Sequence, residues 1–136
     1  MQNLSHIEVS EICNQLGKHP PINIKKVYGG NINNSWQIEF EDKKFFIKRN
    51  ERKEKLLKFE ESCLKKLLPN VNEKNLIIPK VITHFEVKGV ELLLLEWINF
   101  QRCNQKKLGR GLGEMHLKSN KSNPKKFGFP IEGFIG

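Results

Sequence analysis

The chain has 136 residues, and 24 basic against 15 acidic residues give it a formal net charge of +9. This length suits one domain with a packed core, or one small lobe plus part of another, and it excludes a large two-domain enzyme. Only four basic residues are arginine, the residue favoured for bidentate recognition of phosphate and guanine, so we expect no nucleic-acid partner despite the charge.

The cysteine pattern and the hydropathy exclude further classes of protein. The three cysteines lie far apart in apolar surroundings, so neither a disulfide framework nor a zinc site is predicted. The longest apolar run, Leu92 to Leu95, is too short to span a bilayer, and residues 1–17 form an amphipathic pattern unlike a signal peptide. We therefore expect a cytoplasmic protein with no membrane partner.

The first elements of the chain are predicted to be a helix and a strand. Ser5 and Glu8 fit a capping box, and apolar residues then recur at helical spacing until Gly17. Two consecutive prolines break this helix, and the residues from Ile22 to Tyr28 predict a strand.

A hairpin is predicted next. Trp36, Ile38 and Phe40 alternate with polar residues, which is the pattern of a half-buried strand. After a short turn the return strand ends in Lys48, which therefore lies within an apolar strand rather than on a tail.

The hairpin is preceded by the glycine pair Gly29 and Gly30. Without side chains, these residues allow the backbone to approach an anionic ligand and to offer its N–H groups. The stretch from Tyr28 to Lys48 predicts either a phosphate cradle completed by the lysine or an ordinary turn with a solvated lysine. Its residues alone do not distinguish the two.

A second amphipathic helix is predicted from about Glu51 to Leu68. Glu60 lies within its apolar stripe, four residues after Leu56 and four before Leu64. A carboxylate that faces a core needs a partner, and Lys48 is the obvious candidate. The alternative is that Glu60 lies at the edge of the stripe and reaches water.

Two further strands are predicted over Val81–Val87 and Val90–Ile98, joined by a tight Lys88–Gly89 turn. The run of four leucines in the second strand does not alternate with polar residues, which predicts burial on both faces. Glu96–Trp97–Ile98 forms an acidic connector at the end of that strand.

A third helix, marked by Leu108, Leu112 and Met115, is predicted to end near His116. Gly109 and Gly113 give it a small-residue face, so the GRGLG stretch favours close helix packing over a phosphate loop. His116 favours a structural role. The basic stretch from residue 118 to 126 favours a solvated loop over a nucleic-acid patch, because no aromatic residues interrupt its charges.

In this order, the elements resemble the small nucleotide-binding lobe of the protein-kinase-like, aminoglycoside phosphotransferase-like superfamily. Within it the chain resembles the fructosamine kinase (ketosamine-3-kinase) family. The stretches that carry the resemblance are GGNIN at 29–33, FFIKRNE at 45–51, FEESCL at 59–64, LLLLEW at 92–97, LGRGLGEMH at 108–116 and FGFPIEGFIG at 127–136.

The resemblance implies an α+β fold in two parts. Residues 1–95 are expected to form the nucleotide-binding lobe, an antiparallel sheet of about five strands with a packed helix. Residues 96–136 are expected to form the hinge and the first helical part of a truncated C-terminal lobe.

The resemblance also implies a set of ATP-binding residues. Lys48 is expected to contact phosphate and to pair with Glu60, while loop residues cover the phosphates and the connector backbone binds adenine. The expected residues are Gly29, Gly30, Asn31 and Asn33 in the loop, Lys48 and Glu60, and Glu96, Trp97 and Ile98 in the hinge. Some relatives carry a cysteine after the glycine pair, so Asn31 predicts that this loop has no thiol switch.

The same family implies Mg²⁺ as a second cofactor, with an aspartate that accepts the proton of the substrate hydroxyl. Asp42 is the only aspartate here, and it lies in a predicted hairpin turn. We therefore expect no catalytic residue and no metal ligand in this chain, and we expect the missing ones in the C-terminal lobe.

The function implied is that of the ATP-binding portion of a kinase that phosphorylates a sugar hydroxyl of glycated amines, a repair of protein glycation, with this chain inactive alone. Nucleotide and a glycated amine or protein are the expected partners. A choline or aminoglycoside kinase of the same fold is one alternative. Another is a non-catalytic module that binds nucleotide or nucleic acid.

Overall fold

The computed structural model describes residues 3–28, 34–52, 54–99, 102 and 104–122. Helices and strands are interspersed along these residues. The elements are α1 (His6–Leu16), β1 (Asn23–Val27), β2 (Asn34–Glu39), β3 (Lys44–Asn50), α2 (Leu56–Leu67), a 3₁₀ turn (Leu68–Asn70), β4 (Val81–Val87), β5 (Val90–Glu96) and α3 (Gln105–Ser122).

The five strands form one antiparallel sheet in the order β1-β2-β3-β5-β4. Strand β3 is central, with Lys48 opposite Ser35 of β2 and Leu93 of β5. The predicted α+β fold with a five-stranded antiparallel sheet is confirmed. No helix in the part of the chain that the structure describes has the length and apolarity that crossing a membrane requires.

Each face of the sheet packs against a different helix. On one face Ile12 of α1 meets Ile38, Ile47 and Leu94, and on the other Leu57 of α2 meets alternate leucines of β5. The four leucines at 92–95 are at most 2% exposed, which confirms the predicted burial of this strand on both faces. The period-2 prediction for β2 is also correct, because Trp36, Ile38 and Phe40 are all buried.

The β4–β5 hairpin turns at Lys88 and Gly89, as the sequence predicted. Both residues have positive φ angles, 49° and 82°, as the tightest two-residue hairpin turns require. The turn places Glu86 opposite Glu91 across the two strands.

Several predicted boundaries were wrong. Strand β3 continues past Lys48 to Asn50. Helix α2 begins at Leu56 and not near Glu51, because the Asn50 side chain accepts a hydrogen bond from the Arg52 amide and holds residues 50–52 as a turn. Strand β5 ends at Glu96, two residues early. Helix α3 continues past His116 to Ser122, since the sequence has no proline before position 124 to stop it.

Helix α1 begins with the capping box that the sequence predicted. Ser5 Oγ accepts a hydrogen bond from the Glu8 amide, and Glu8 Oε2 accepts one from the Ser5 amide at 2.6 Å. The other oxygen of Glu8 accepts a bond from Arg49 Nε at 2.6 Å. This buried ion pair, which the sequence did not predict, joins α1 to β3.

The close approach of α3 to the rest of the fold occurs at Gly111, and not at the predicted face of Gly109 and Gly113. A Cβ atom at Gly111 would lie 2.6 Å from the Cβ of Leu76 and 2.9 Å from the carbonyl carbon of Asn75. At Gly109 and Gly113 a Cβ would meet nothing within 4 Å. The glycine-rich stretch therefore does serve packing, through its middle glycine.

Gly111→Ala is expected to lower the free energy of unfolding by about 1–3 kcal/mol, because the new methyl group overlaps the backbone at residue 75. Gly113→Ala is the matched control and should raise it by about 0.5–1 kcal/mol through helix propensity. Urea unfolding of both variants measures the difference. Equal effects would contradict the packing of α3 described here.

The Glu8 carboxylate predicts a loss of stability in acid. Burial opposes its charge, but hydrogen bonds from Arg49 and Ser5 outweigh burial and hold the pKa of Glu8 below its ordinary value. The unfolded chain then takes up a proton first as the pH falls, so the contribution is complete above about pH 4.3 and disappears towards the lowered pKa. Urea unfolding between neutral and acidic pH should show a smaller loss for Glu8→Gln than for the wild type.

Candidate functional site

Lys48 and Glu60 form an ion pair between β3 and α2. The Lys48 Nζ donates to both carboxylate oxygens of Glu60, at 2.7 and 2.9 Å. Strand alternation directs Lys48 to the α2 face of the sheet, and Glu60 lies one turn into that helix. The predicted pairing is confirmed. The side chains remain 27% and 29% exposed, so the third ammonium proton can reach a ligand.

The pair lies in the wall of a cleft of about 1140 Å³. Most of the lining is apolar, and its charged residues are Lys48, Glu60, Glu96, Arg102 and Lys107. The apolar lining residues are Val27, Phe46, Leu76, Ile77, Pro79, Leu95, Trp97, Ile98 and Leu108. A cleft with apolar walls and a few polar groups is the usual form of a small-molecule site.

The connector after β5 forms one side of this cleft. The Glu96 amide donates to the Lys80 carbonyl at 2.9 Å, so this group is already used within the protein. In the described ranges, the backbone of Trp97 and Ile98 makes no hydrogen bond outside the strand ladder. Of the three predicted hinge residues, these two therefore have backbone groups that a ligand can use, while Glu96 lines the cleft with its amide occupied.

The Trp97 ring has a fixed orientation at the cleft. Its centroid lies 6.3 Å from that of Phe46, and its Nε1 donates to Asn99 Oδ1 at 2.9 Å. The aromatic surface therefore lies against Phe46, and both rings line the cleft together with Lys48.

The predicted loop residues Gly29, Gly30, Asn31 and Asn33 lie outside the described residues, and their role stays a prediction. The described residues that flank them are informative. Val27, Tyr28 and Ser35 all line the cleft.

A buried polar cluster behind the ion pair was missed by the sequence reasoning. Glu91 of β5 has a fully buried side chain, and its carboxylate accepts hydrogen bonds from Asn50 Nδ2 at 2.8 Å and from the Lys58 amide at 3.1 Å. His84 Nε2 lies 3.1 Å from the same carboxylate. A glutamate beside four consecutive leucines was the only available signal.

The described residues hold no group of three or more His, Cys, Asp or Glu side chains that could bind a metal ion. Asp42 lies at the β2–β3 turn and pairs with Lys18 at 2.6 Å, and it does not line the cleft. The described part of the site can hold an anion and an apolar ring. The expectation that Mg²⁺ is bound by other residues stays a prediction.

Solved structures with the same fold include enzymes that act on small molecules. A Haemophilus somnus 129PT protein described as a fructosamine-3-kinase is 23% identical, with a TM-score of 0.73 over 94% of this chain. Spectinomycin phosphotransferase APH(9)-Ia, in complex with ADP and spectinomycin, is 17% identical, with a TM-score of 0.54 over 90% of this chain. In both cases this chain spans 43% of the other protein's length.

Sequence comparison identifies the family more specifically than the shared fold does. An uncharacterised protein of the ileS 3′ region in Staphylococcus aureus is 33% identical over 119 residues, which cover 82% of this chain and 86% of that protein. The model of the fructosamine kinase family matches residues 6–136. The chain therefore belongs to the fructosamine kinase family.

Proposed function

We propose that this chain supplies the ATP-binding side of a small-molecule kinase. The observation that carries the proposal is the Lys48–Glu60 pair in the wall of an apolar cleft, which Trp97 and Ile98 also line. Family membership and the shared fold support a phosphotransferase of this kind.

Lys48 would bind the phosphates. Its ammonium group is a point charge on a flexible stem, and Glu60 holds it in one orientation without consuming all its donors. The loop with Gly29 and Gly30 would add backbone N–H groups over the same phosphates.

The base would lie between the apolar walls of the cleft. Val27 and Leu95 offer apolar surface, and the Trp97 and Ile98 backbone offers both a donor and an acceptor for the edge of adenine. Because the Glu96 amide is bonded to Lys80, base recognition would depend on the two residues that follow.

The acceptor in this proposal is a sugar hydroxyl of a glycated amine, as the family implies. The proton acceptor and the magnesium ligands would come from residues other than those described here, since Asp42 is engaged with Lys18. Residues 1–95 would then be the nucleotide lobe and 96–136 the hinge and the start of a second lobe. We expect the isolated chain to bind ATP without phosphorylating a ketosamine.

Lys48→Met is expected to weaken ATP binding at least about tenfold, because it removes the charge that faces the phosphates. Adenosine binding should change little, since adenosine has no phosphate. Lys44→Met is the matched control: Lys44 lies on the same strand but pairs with Glu39 outside the cleft. Titration calorimetry measures the binding of ATP and of adenosine to the wild type and to both variants. Equal ATP affinity in the Lys48 variant and the wild type would reject the proposed phosphate contact.

Nucleotide binding is expected to change the fluorescence of one of the two tryptophans. Trp97 lines the cleft, whereas Trp36 is 1% exposed and lies outside it. The ATP-induced change should vanish in Trp97→Phe and persist in Trp36→Phe. The opposite result would place the nucleotide elsewhere.

A further inference from the structure

Helix α2 carries Glu60, but its own sequence provides no cap for its amino-terminal end. Lys55 occupies the N-cap position without a side-chain hydrogen bond, and the first turn contains no acidic residue. The first N–H groups of a helix have no partner within the helix, and they carry a partial positive charge. This end of α2 therefore needs an acceptor from elsewhere in the fold.

Glu91 of β5 provides that acceptor from across the sheet. Its carboxylate oxygens accept bonds from the amides of Leu57 at 3.4 Å and Lys58 at 3.1 Å, which lie in the first turn of α2. Strand β5 is the most buried strand described, so the helix end is attached to a rigid part of the core.

The carboxylate is itself held in place by neighbours on three elements. Asn50 of β3 donates to it at 2.8 Å, and His84 of β4 lies 3.1 Å from it. The other ring nitrogen of His84 lies 3.8 Å from Glu61, a buried residue of α2. Burial opposes the charge of Glu91, yet the Asn50 and His84 bonds and two backbone amides keep the pKa of the carboxyl below its ordinary value.

Both anchors of α2 involve a residue of strand β3. Lys48 of β3 binds Glu60, and Asn50, two residues later on the same face of β3, binds Glu91. Helix α2 is thus fixed at its first turn by Glu91 and one turn later by Lys48. Because a helix is stiff over this distance, the first contact determines where Glu60 can meet Lys48.

We propose that Glu91 is a positioning residue for the Lys48–Glu60 pair, acting through the amino-terminal end of α2. This inference rests on the proposed function, because it assigns Glu91 a role in nucleotide binding. Glu91 would exert this role through α2, without contacting the nucleotide. When Glu91 no longer holds the helix, the first turn of α2 moves from the sheet and Glu60 no longer orients Lys48 towards the phosphates.

Glu91→Gln tests the proposal with little change in side-chain volume, because the amide loses the charge and replaces one acceptor with a donor. Glu86→Gln is the matched control. Glu86 lies directly opposite Glu91 in the β4–β5 register. It pairs at the surface with Lys55, at the same end of α2, but among the described residues it bonds to no helix amide. Both variants are compared with the wild type by amide hydrogen exchange and by ATP titration.

The exchange measurement needs no nucleotide. Amides of the first two turns of α2 should exchange faster in Glu91→Gln than in the wild type, while those in Glu86→Gln should not change. Unchanged exchange in the Glu91 variant would overturn the proposal. A wild-type chain that binds no ATP would instead remove the proposed function, and the exchange result would still decide whether Glu91 holds α2.

The ATP titration separates positioning from general destabilisation. Glu91→Gln should weaken ATP binding by about fivefold to tenfold, the effect of losing one helix cap. In a Glu60→Gln background it should cause no further loss, because the residue through which it acts is already absent. An equal loss in both backgrounds would overturn the positioning role.

If Glu91→Gln does not yield a folded chain, His84→Leu serves in its place. This change removes one neighbour of the carboxylate and leaves both helix amides bonded to it. Like Glu91→Gln, it should speed amide exchange in α2 and weaken ATP binding, but by a smaller factor. A folded His84→Leu chain with wild-type exchange in α2 and wild-type ATP affinity would count against the proposal.

Discussion

Strand β3 ends in three consecutive polar residues, and each one bonds to a different carboxylate. Lys48 binds Glu60 on α2, Arg49 binds Glu8 on α1, and Asn50 binds Glu91 on β5. Because side chains alternate along a strand, these bonds reach helices on opposite faces of the sheet. Partly or wholly buried charges must be paired to be tolerated, so the two helix positions depend on this one segment.

The shape of the cleft depends on these contacts of strand β3. One wall comes from the sheet and α2, and another includes residues 75–79 and the start of α3. Helix α3 reaches this wall through the contact between Gly111 and Leu76, supported by hydrogen bonds from Asn72 and Asn75 to Glu114. The proposed division after residue 95 would therefore separate two parts that meet at one binding surface.

The ion pair in the candidate site followed from the sequence, because its signals are local or periodic. A carboxylate within an apolar helical stripe and a lysine within an apolar strand were enough to predict the Lys48–Glu60 pair. The Glu8–Arg49 and Asn50–Glu91 bonds were not predicted, since each joins residues 41 positions apart. Such partners depend on which strands are neighbours, and β3 pairs with β5 rather than with the next strand in the chain. Gly111 was missed for a similar reason, because a helical repeat does not show which glycine meets Leu76.

The Lys88–Gly89 turn has a consequence for the order of folding. It closes a two-residue hairpin, so β4 and β5 can pair within microseconds, before contacts distant in sequence form. That pairing already sets Glu91 and His84 side by side. The carboxylate would then be in place as a template when α2 arrives, and helix formation at Leu57 would begin on the sheet surface. Because α2 has no cap of its own, its first turn would form only after the β4–β5 hairpin has paired.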